Sequence, residues 1–208
     1  MSKSSPEQIG FLEVFDQHAQ QLATAHLPSD IEHGVTAFRA MLGQFHGALM
    51  LGDLTRAEQV YDEAYRLAVK LNGGSSFGVI ADDQAPGCVL ARETAAAPGE
   101  IPLWGQVGDF MVSVRGVRVQ IAFGGIFGIG LMLPSFSASA VDWTQPFISE
   151  TGYRSFLGLR APPDPGMTTA GWVTAILDAH IRSEMKGRLV PIQPRYRKHV
   201  GSELEGPA

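Results

Sequence analysis

The chain has 208 residues, 45% of them apolar and 18% charged, which is enough for a buried core and too hydrophobic for a disordered polypeptide. One cysteine, Cys88, excludes an internal disulfide framework and fits a reducing compartment. The net charge of −5 is unevenly placed, with 6 Lys/Arg against 13 Asp/Glu in residues 1–100 and 10 against 8 in residues 101–208.

The opening Met1-Ser-Lys-Ser-Ser-Pro6 is polar and lacks the apolar centre of a secretory signal. Ile9, Leu12, Val14 or Phe15, Ala19 and Leu22 then recur at helical spacing. Ser29, with Glu32 three residues on, forms a capping box for a second helix carrying Val35, Phe38, Met41, Leu42 and Phe45, and ending near Met50. A third helix is predicted from Thr55 to Leu71. Gly52 to Ala57, with Tyr61 and Ala64, resembles the second helix of a tetratricopeptide repeat. No second copy follows, and such arrays need about three units, so residues 29–72 read as an ordinary helical hairpin.

After Gly74 the composition shifts to Gly, Pro, Val and aromatic residues. Phe77 to Ile80 and Cys88 to Ala91 are expected to be short strands around a turn at residues 82–87. The clearest signal is a hairpin, Phe110–Val114 and Val117–Phe123 joined by Arg115-Gly116, with apolar residues alternating with Ser113, Arg118 and Gln120. Gly124 to Leu133 is expected to continue as a bent strand. The run from Ile121 to Leu133 holds four glycines and is shorter than the roughly 20 residues of a membrane-spanning helix. A long irregular stretch, 135–166, precedes a last helix over 169–185, capped by Thr168 or Thr169, with Trp172, Val173, Ile176, Leu177 and His180 or Ile181 on one face. The expected fold is α+β, with N-terminal helices, a small antiparallel sheet, a long loop and a closing C-terminal helix. Its parts are a helical subdomain (1–72), the sheet with its closing helix (73–187) and a basic, partly disordered tail (188–208), within one compact domain or as packed subdomains.

Several chemistries lack their sequence signatures. The six histidines (His18, His26, His33, His46, His180, His199) include no pair spaced i, i+4 beside a carboxylate, and no metal or cofactor is expected. There is no G-x-S-x-G elbow, and Cys88 lies in an apolar run that favours the inert thiol. Gly124 to Gly130 is glycine-rich but has no following helix to meet a phosphate.

The densest polar chemistry lies in Pro146-Phe-Ile-Ser-Glu-Thr-Gly-Tyr-Arg-Ser-Phe-Leu-Gly158. There Glu150, Tyr153, Arg154 and three hydroxyls crowd around Gly152 between apolar flanks. Arg154 can fork onto a phosphate or carboxylate, and Tyr153 can stack on a base or donate a hydrogen bond. Equally, Glu150 and Arg154 can pair across the turn while the aromatic rings tie the loop down. Trp143 to Gly158 resembles a segment of uncharacterised accessory proteins encoded on bacterial plasmids and integrative elements. The resemblance implies a bacterial cytoplasmic accessory protein of mobile DNA.

The leading expectation is therefore a non-enzymatic accessory protein that binds a protein or nucleic-acid partner, with no membrane association, through the 143–158 loop. Trp143, Ser149, Glu150, Tyr153, Arg154 and Ser155 are its candidate contacts, with Arg195, Arg197 and Lys198 as a nucleic-acid tail. One alternative is a small hydrolase or transferase acting on a phosphate-bearing substrate, with Glu150 as acid/base and Arg154 as anion clamp. Another is a helical adaptor that docks a protein on residues 29–72.

Overall fold

The chain is seen in a computed structural model that describes residues 23–127, 134–159 and 162–197. Among the described residues, four α-helices and one four-stranded antiparallel sheet give the expected α+β architecture. The helix expected over Ile9 to Leu22 lies outside the described residues.

Helix α1 spans Ile31–Leu51 and buries Phe38, Met41, Leu42, Phe45, Ala48 and Leu49 along one stripe. Its cap is Asp30 rather than Ser29. The Asp30 carboxylate accepts the His33 backbone N–H at 3.0 Å, and His33 Nδ1 meets the same carboxylate at 2.8 Å. The two bonds satisfy the cap locally, leaving no role for the expected Ser29–Glu32 box. After Gly52 and Asp53, α2 runs over Leu54–Leu71. Fully buried Ala57 and Ala64 keep its contact face shallow, so α1 packs closely against it.

The segment expected to hold two short strands is different. Residues 77–80 form turns, and Pro86–Glu93 form a helix, α3, packed on α1 and α2. Four apolar residues in a row do not separate strand from helix, and here Pro86 occupies the first helical turn, where its missing N–H costs nothing. Thr94 Oγ1 donates back to the Leu90 carbonyl at 2.8 Å and closes the helix.

Strands β1 (Gly108–Val114) and β2 (Val117–Phe123) form the expected hairpin. Arg115 and Gly116 both have positive φ, 49° and 82°, as a two-residue type I′ turn requires. The 135–166 stretch is not all loop. It contains β3 (Phe136–Ala140) and β4 (Tyr153–Phe156), in the order β1-β2-β3-β4. β3 reads Phe-Ser-Ala-Ser-Ala, whose small residues carry little intrinsic strand preference. Its pairing to β2, from Val119↔Ala140 to Phe123↔Phe136, holds it in place. Of the bent strand expected over 124–133, residues 124–127 are irregular and the rest lies outside the described residues.

Helix α4 (Thr169–Ser183) closes the inner face of the sheet, burying Trp172, Val173, Leu177 and Ile181. Trp104, on the connection between α3 and β1, is fully buried at the junction of α1, the sheet and α4. Its ring meets Trp172 and Phe123 edge-on, at centroid distances of 5.3 and 6.3 Å. Its Nε1–H donates to the Met167 carbonyl at 2.9 Å, and its backbone N–H donates to His46 Nδ1 at 3.2 Å. A Trp104→Ala substitution is expected to cost about 3–5 kcal/mol, measured by urea denaturation.

His46 accepts at Nδ1 and must be neutral there, and burial holds its pKa below the ordinary 6.5. Burial, with Arg154 nearby, lowers His180 as well. For both, the unfolded chain takes up the proton first. Their contribution is complete above pH 6.5 and is lost as pH falls below it. Exposed His33, raised by Asp30, acts in the opposite sense. Melting temperature should fall on acidification below that point, and a His46→Asn variant, which keeps an acceptor without titrating, should show a shallower fall.

Candidate functional site

The polar 146–158 segment is clamped by the chain that follows α4. Phe147 and Val190 exchange two backbone hydrogen bonds, at 2.8 and 2.9 Å. The Gln193 backbone N–H donates to the Glu150 carbonyl at 2.9 Å, and its side-chain amide donates to the Glu150 carboxylate. Glu150 is thus held by Gln193, and no ion pair joins it to Arg154 among the described residues. Residues 188–193 are built into the fold, with Ile192 buried, rather than trailing as a tail.

Gly152 turns the chain into β4 with a φ of +71°. Trp143 lies directly over it, and a Cβ at this position would collide with the indole ring. Conformation and space both demand glycine there. Ser149 Oγ and Thr151 Oγ1 are 2.7 Å apart, and Thr151 Oγ1 donates to the Tyr153 carbonyl at 2.8 Å while accepting from the Tyr153 N–H at 3.3 Å. One threonine hydroxyl therefore occupies both backbone groups of the first β4 residue.

Being a strand, β4 separates the two side chains expected to act together. Arg154 pairs with buried Ala138 and lies on the inner side, at the open end of the core. Its guanidinium sits 5.9 Å above the Phe156 ring. Phe156 stacks on Phe136 at 4.7 Å and meets His180 edge-on at 5.5 Å. His180 Nε2 is buried without a hydrogen-bond partner among the described residues. Tyr153 and Ser155 point to the outer face. No described element covers that face, which carries Met111, Arg118, Gln120, Ser137 and Ser139. The Ser155 hydroxyl donates to Tyr153 Oη at 2.8 Å, and this bond, with help from Ser137, lowers the phenol's pKa. In the C-terminal segment, Arg195 stacks on Tyr196 at 4.7 Å and Arg197 Nε donates to the Ile192 carbonyl at 3.2 Å. Lys198 lies outside the described residues.

Two further features escaped the sequence reading. Tyr61, Tyr65, Phe77, Val79, Ile80 and Phe127 line an apolar groove of about 380 Å³. Phe77 beside it is 91% exposed, on a turn that looked like a strand. On the first turn of α2, the Arg56 guanidinium donates to Gln44 Oε1 at 2.6 Å and to Gln59 Oε1 at 3.4 Å. An arginine at a helix start is the signal that could have drawn attention to it. Among the described residues, no three His, Cys, Asp or Glu side chains converge to hold a metal ion, and no helix is long and apolar enough to cross a membrane.

Comparison with known proteins finds a similarity in each half. Residues 107–191 match the family model described as the KlcB third domain, and residues 18–93 match the KlcB N-terminal DNA-binding domain. The chain is similar to KlcB. One relative, Protein KlcB of Escherichia coli, is 38% identical over 177 residues, covering 85% of this chain and 42% of the relative. A second Protein KlcB of the same organism is 43% identical over 137 residues, covering 64% of this chain and 29% of the relative. The chain thus spans less than half the length of the KlcB proteins it matches. No solved structure matches it. The DNA-binding match falls on α1 to α3, and the third-domain match on the sheet and α4.

The close approach of Trp143 makes Gly152 a test of the segment's rigidity. Gly152→Ala is expected to cost about 2 kcal/mol or more, from a positive φ and a displaced indole. The cost should shrink in a Trp143→Ala background, as read by a double-mutant cycle in urea.

Proposed function

We propose that this chain is a non-enzymatic DNA-binding accessory protein of the KlcB type, bacterial, cytoplasmic and carried on mobile DNA. The observation that carries the reading is the match of residues 18–93 to a DNA-binding domain. Of the partner classes that the sequence leaves open, it favours nucleic acid. The resemblance of residues 143–158 to plasmid-encoded accessory proteins supports the mobile-DNA setting. In this reading the helical unit extends to Glu93, because α3 packs on α1 and α2, and the sheet with α4 forms the second unit.

The 18–93 region is rich in acids, so it grips DNA through a few cations rather than a broad positive field. The second unit adds Arg154 and the uncovered sheet face, with Tyr153 at its edge and Arg118 and Gln120 across it. Arg195 and Arg197 belong to the cationic excess beyond residue 100.

Binding of labelled duplex DNA, followed by fluorescence anisotropy across a salt series, tests the reading. Affinity should fall with rising salt, each neutralised phosphate contributing about −0.9 to the log–log slope. Arg154→Ala should make that slope shallower by about one phosphate's worth with the melting temperature unchanged. Salt-independent or undetectable binding to mixed-sequence and genomic duplexes would sink the proposal.

A further inference from the structure

The turn after α2 holds an aromatic ring out in water. Phe77 is 91% exposed, and Tyr65 and Ile80 beside it are exposed as well. All three border the apolar groove of about 380 Å³ between α2 and residues 76–81. The turn is tied down. The Asn72 side-chain amide donates to the Ser75 and Phe77 carbonyls at 2.8 and 2.9 Å, and the Phe77 N–H donates to Ser75 Oγ at 3.1 Å. The Gly87 N–H donates to the Val79 carbonyl at 2.9 Å, and a Cβ at Gly87 would collide with that carbonyl, so α3 holds the far side of the turn closely. Phe127, also on the groove, stacks on buried Phe38 at 5.0 Å. A large apolar ring gains nothing for the fold in water, and fixing the backbone that carries it costs entropy. Such a set of exposed apolar residues on a fixed frame suits a surface that another chain covers.

Charge narrows the occupant. Glu58 and Asp62, one turn apart on the exposed side of α2, flank Tyr61 and Tyr65, while Asp82 and Asp83 directly follow the opposite wall. Burial raises the Tyr61 phenol, and Tyr65 and Asp62 add to it, so the Asp62 charge reaches the groove wall. Among the described residues none of these four carboxylates has an ion pair. The nearby cations are fewer. Arg66 stands one turn beyond Asp62, and Arg92 on α3 is already paired with Glu93. An acidic rim repels nucleic acid. The opening segment of the chain, with its apolar Ile9, Leu12 and Phe15, carries Glu7, Glu13 and Asp16 against Lys3, the same sign as the rim.

We propose that this groove docks a basic, apolar-bearing segment of a protein partner. Its apolar side chains pack between Tyr61, Tyr65, Phe77 and Phe127, and its Lys and Arg residues meet the surrounding carboxylates. The groove is too small for a folded domain and fits one face of a helix or a short extended stretch. Phe77, presented on its fixed turn, is the anchor on this side of the contact. The docking stands independently of the DNA-binding reading and leaves DNA to other faces of the chain.

The experiment selects a random peptide library, displayed on phage, against the full chain. Enriched peptides should carry net positive charge beside large apolar residues. The best of them, synthesised and labelled, should bind Phe77→Ser about 10-fold or more weakly by fluorescence anisotropy. An Asp62→Asn, Asp83→Asn double variant should bind it several-fold more weakly, with a flatter salt dependence. Phe77 is almost fully exposed, so Phe77→Ser should keep the wild-type melting temperature. Neutral or acidic enriched peptides, peptides that bind Phe77→Ser as well as wild type, or a selection that enriches nothing would each overturn the proposal. If wild type dimerises in sedimentation velocity and Phe77→Ser does not, the occupant is a second copy and the partner segment is overturned. Peptide binding that appears only in a Leu12→Asp chain makes the opening segment the occupant, with the same consequence. A loss of duplex-DNA affinity in Phe77→Ser puts nucleic acid in the groove and overturns it too.

Discussion

One indole organises this molecule. Trp104 is held by α1 through His46, by the strap before α4 through the Met167 carbonyl, and by ring contacts with the sheet at Phe123 and with α4 at Trp172. Both of its N–H groups are satisfied, so the largest side chain of the core enters without a desolvation penalty. Around it the buried residues of the helices and of the sheet form one continuous cluster rather than two. Thr169 Oγ1 adds a buried bond to the Pro102 carbonyl at 2.7 Å, fixing the start of α4 to the same connection. The seam between the two family matches is therefore structural in its own right. Residues 94–106 separate the matches in sequence and join them in space.

How far the fold could be read from the sequence depended on where the deciding interactions lay. The β1–β2 hairpin was legible because its alternation and its Arg115-Gly116 turn are local. α4 was legible because Trp172, Val173, Leu177 and Ile181 keep a helical period behind a threonine cap. β3 was hidden, since Ser and Ala are strand residues here through the partner they pair with. α3 was mistaken for a strand because eight residues are too few to display a period, and packing on α1 and α2 decides their form. The polar segment does fold into a dense set of hydrogen bonds, and Trp143 sits over its turn. What could not be read was that Tyr153 and Arg154 fall on opposite faces, or that Gln193, far along the chain, takes Glu150.

The charge distribution divides along the same line as the two matches. The unit similar to a DNA-binding domain is the acidic one, and the cationic excess lies beyond residue 100. Among the described residues of the acidic unit, most cations are tied to carbonyls of their own fold. That arrangement suits contacts that are few and geometrically fixed, and it disfavours loose attachment to any polyanion. The open sheet face, with its hydroxyls and one pinned tyrosine, is nearly neutral by comparison.

The position of Trp104 also bears on synthesis at the ribosome. α1 and α2 emerge before Trp104, to which α1 is tied through His46. Trp104 follows, but its second aromatic wall, Trp172, comes 68 residues later in the chain. At about 5–20 residues per second, that interval is several seconds of translation. During that interval the apolar faces that meet α4 in the finished fold have nothing to close them. The core is shut only when α4 arrives and Trp172 meets Trp104.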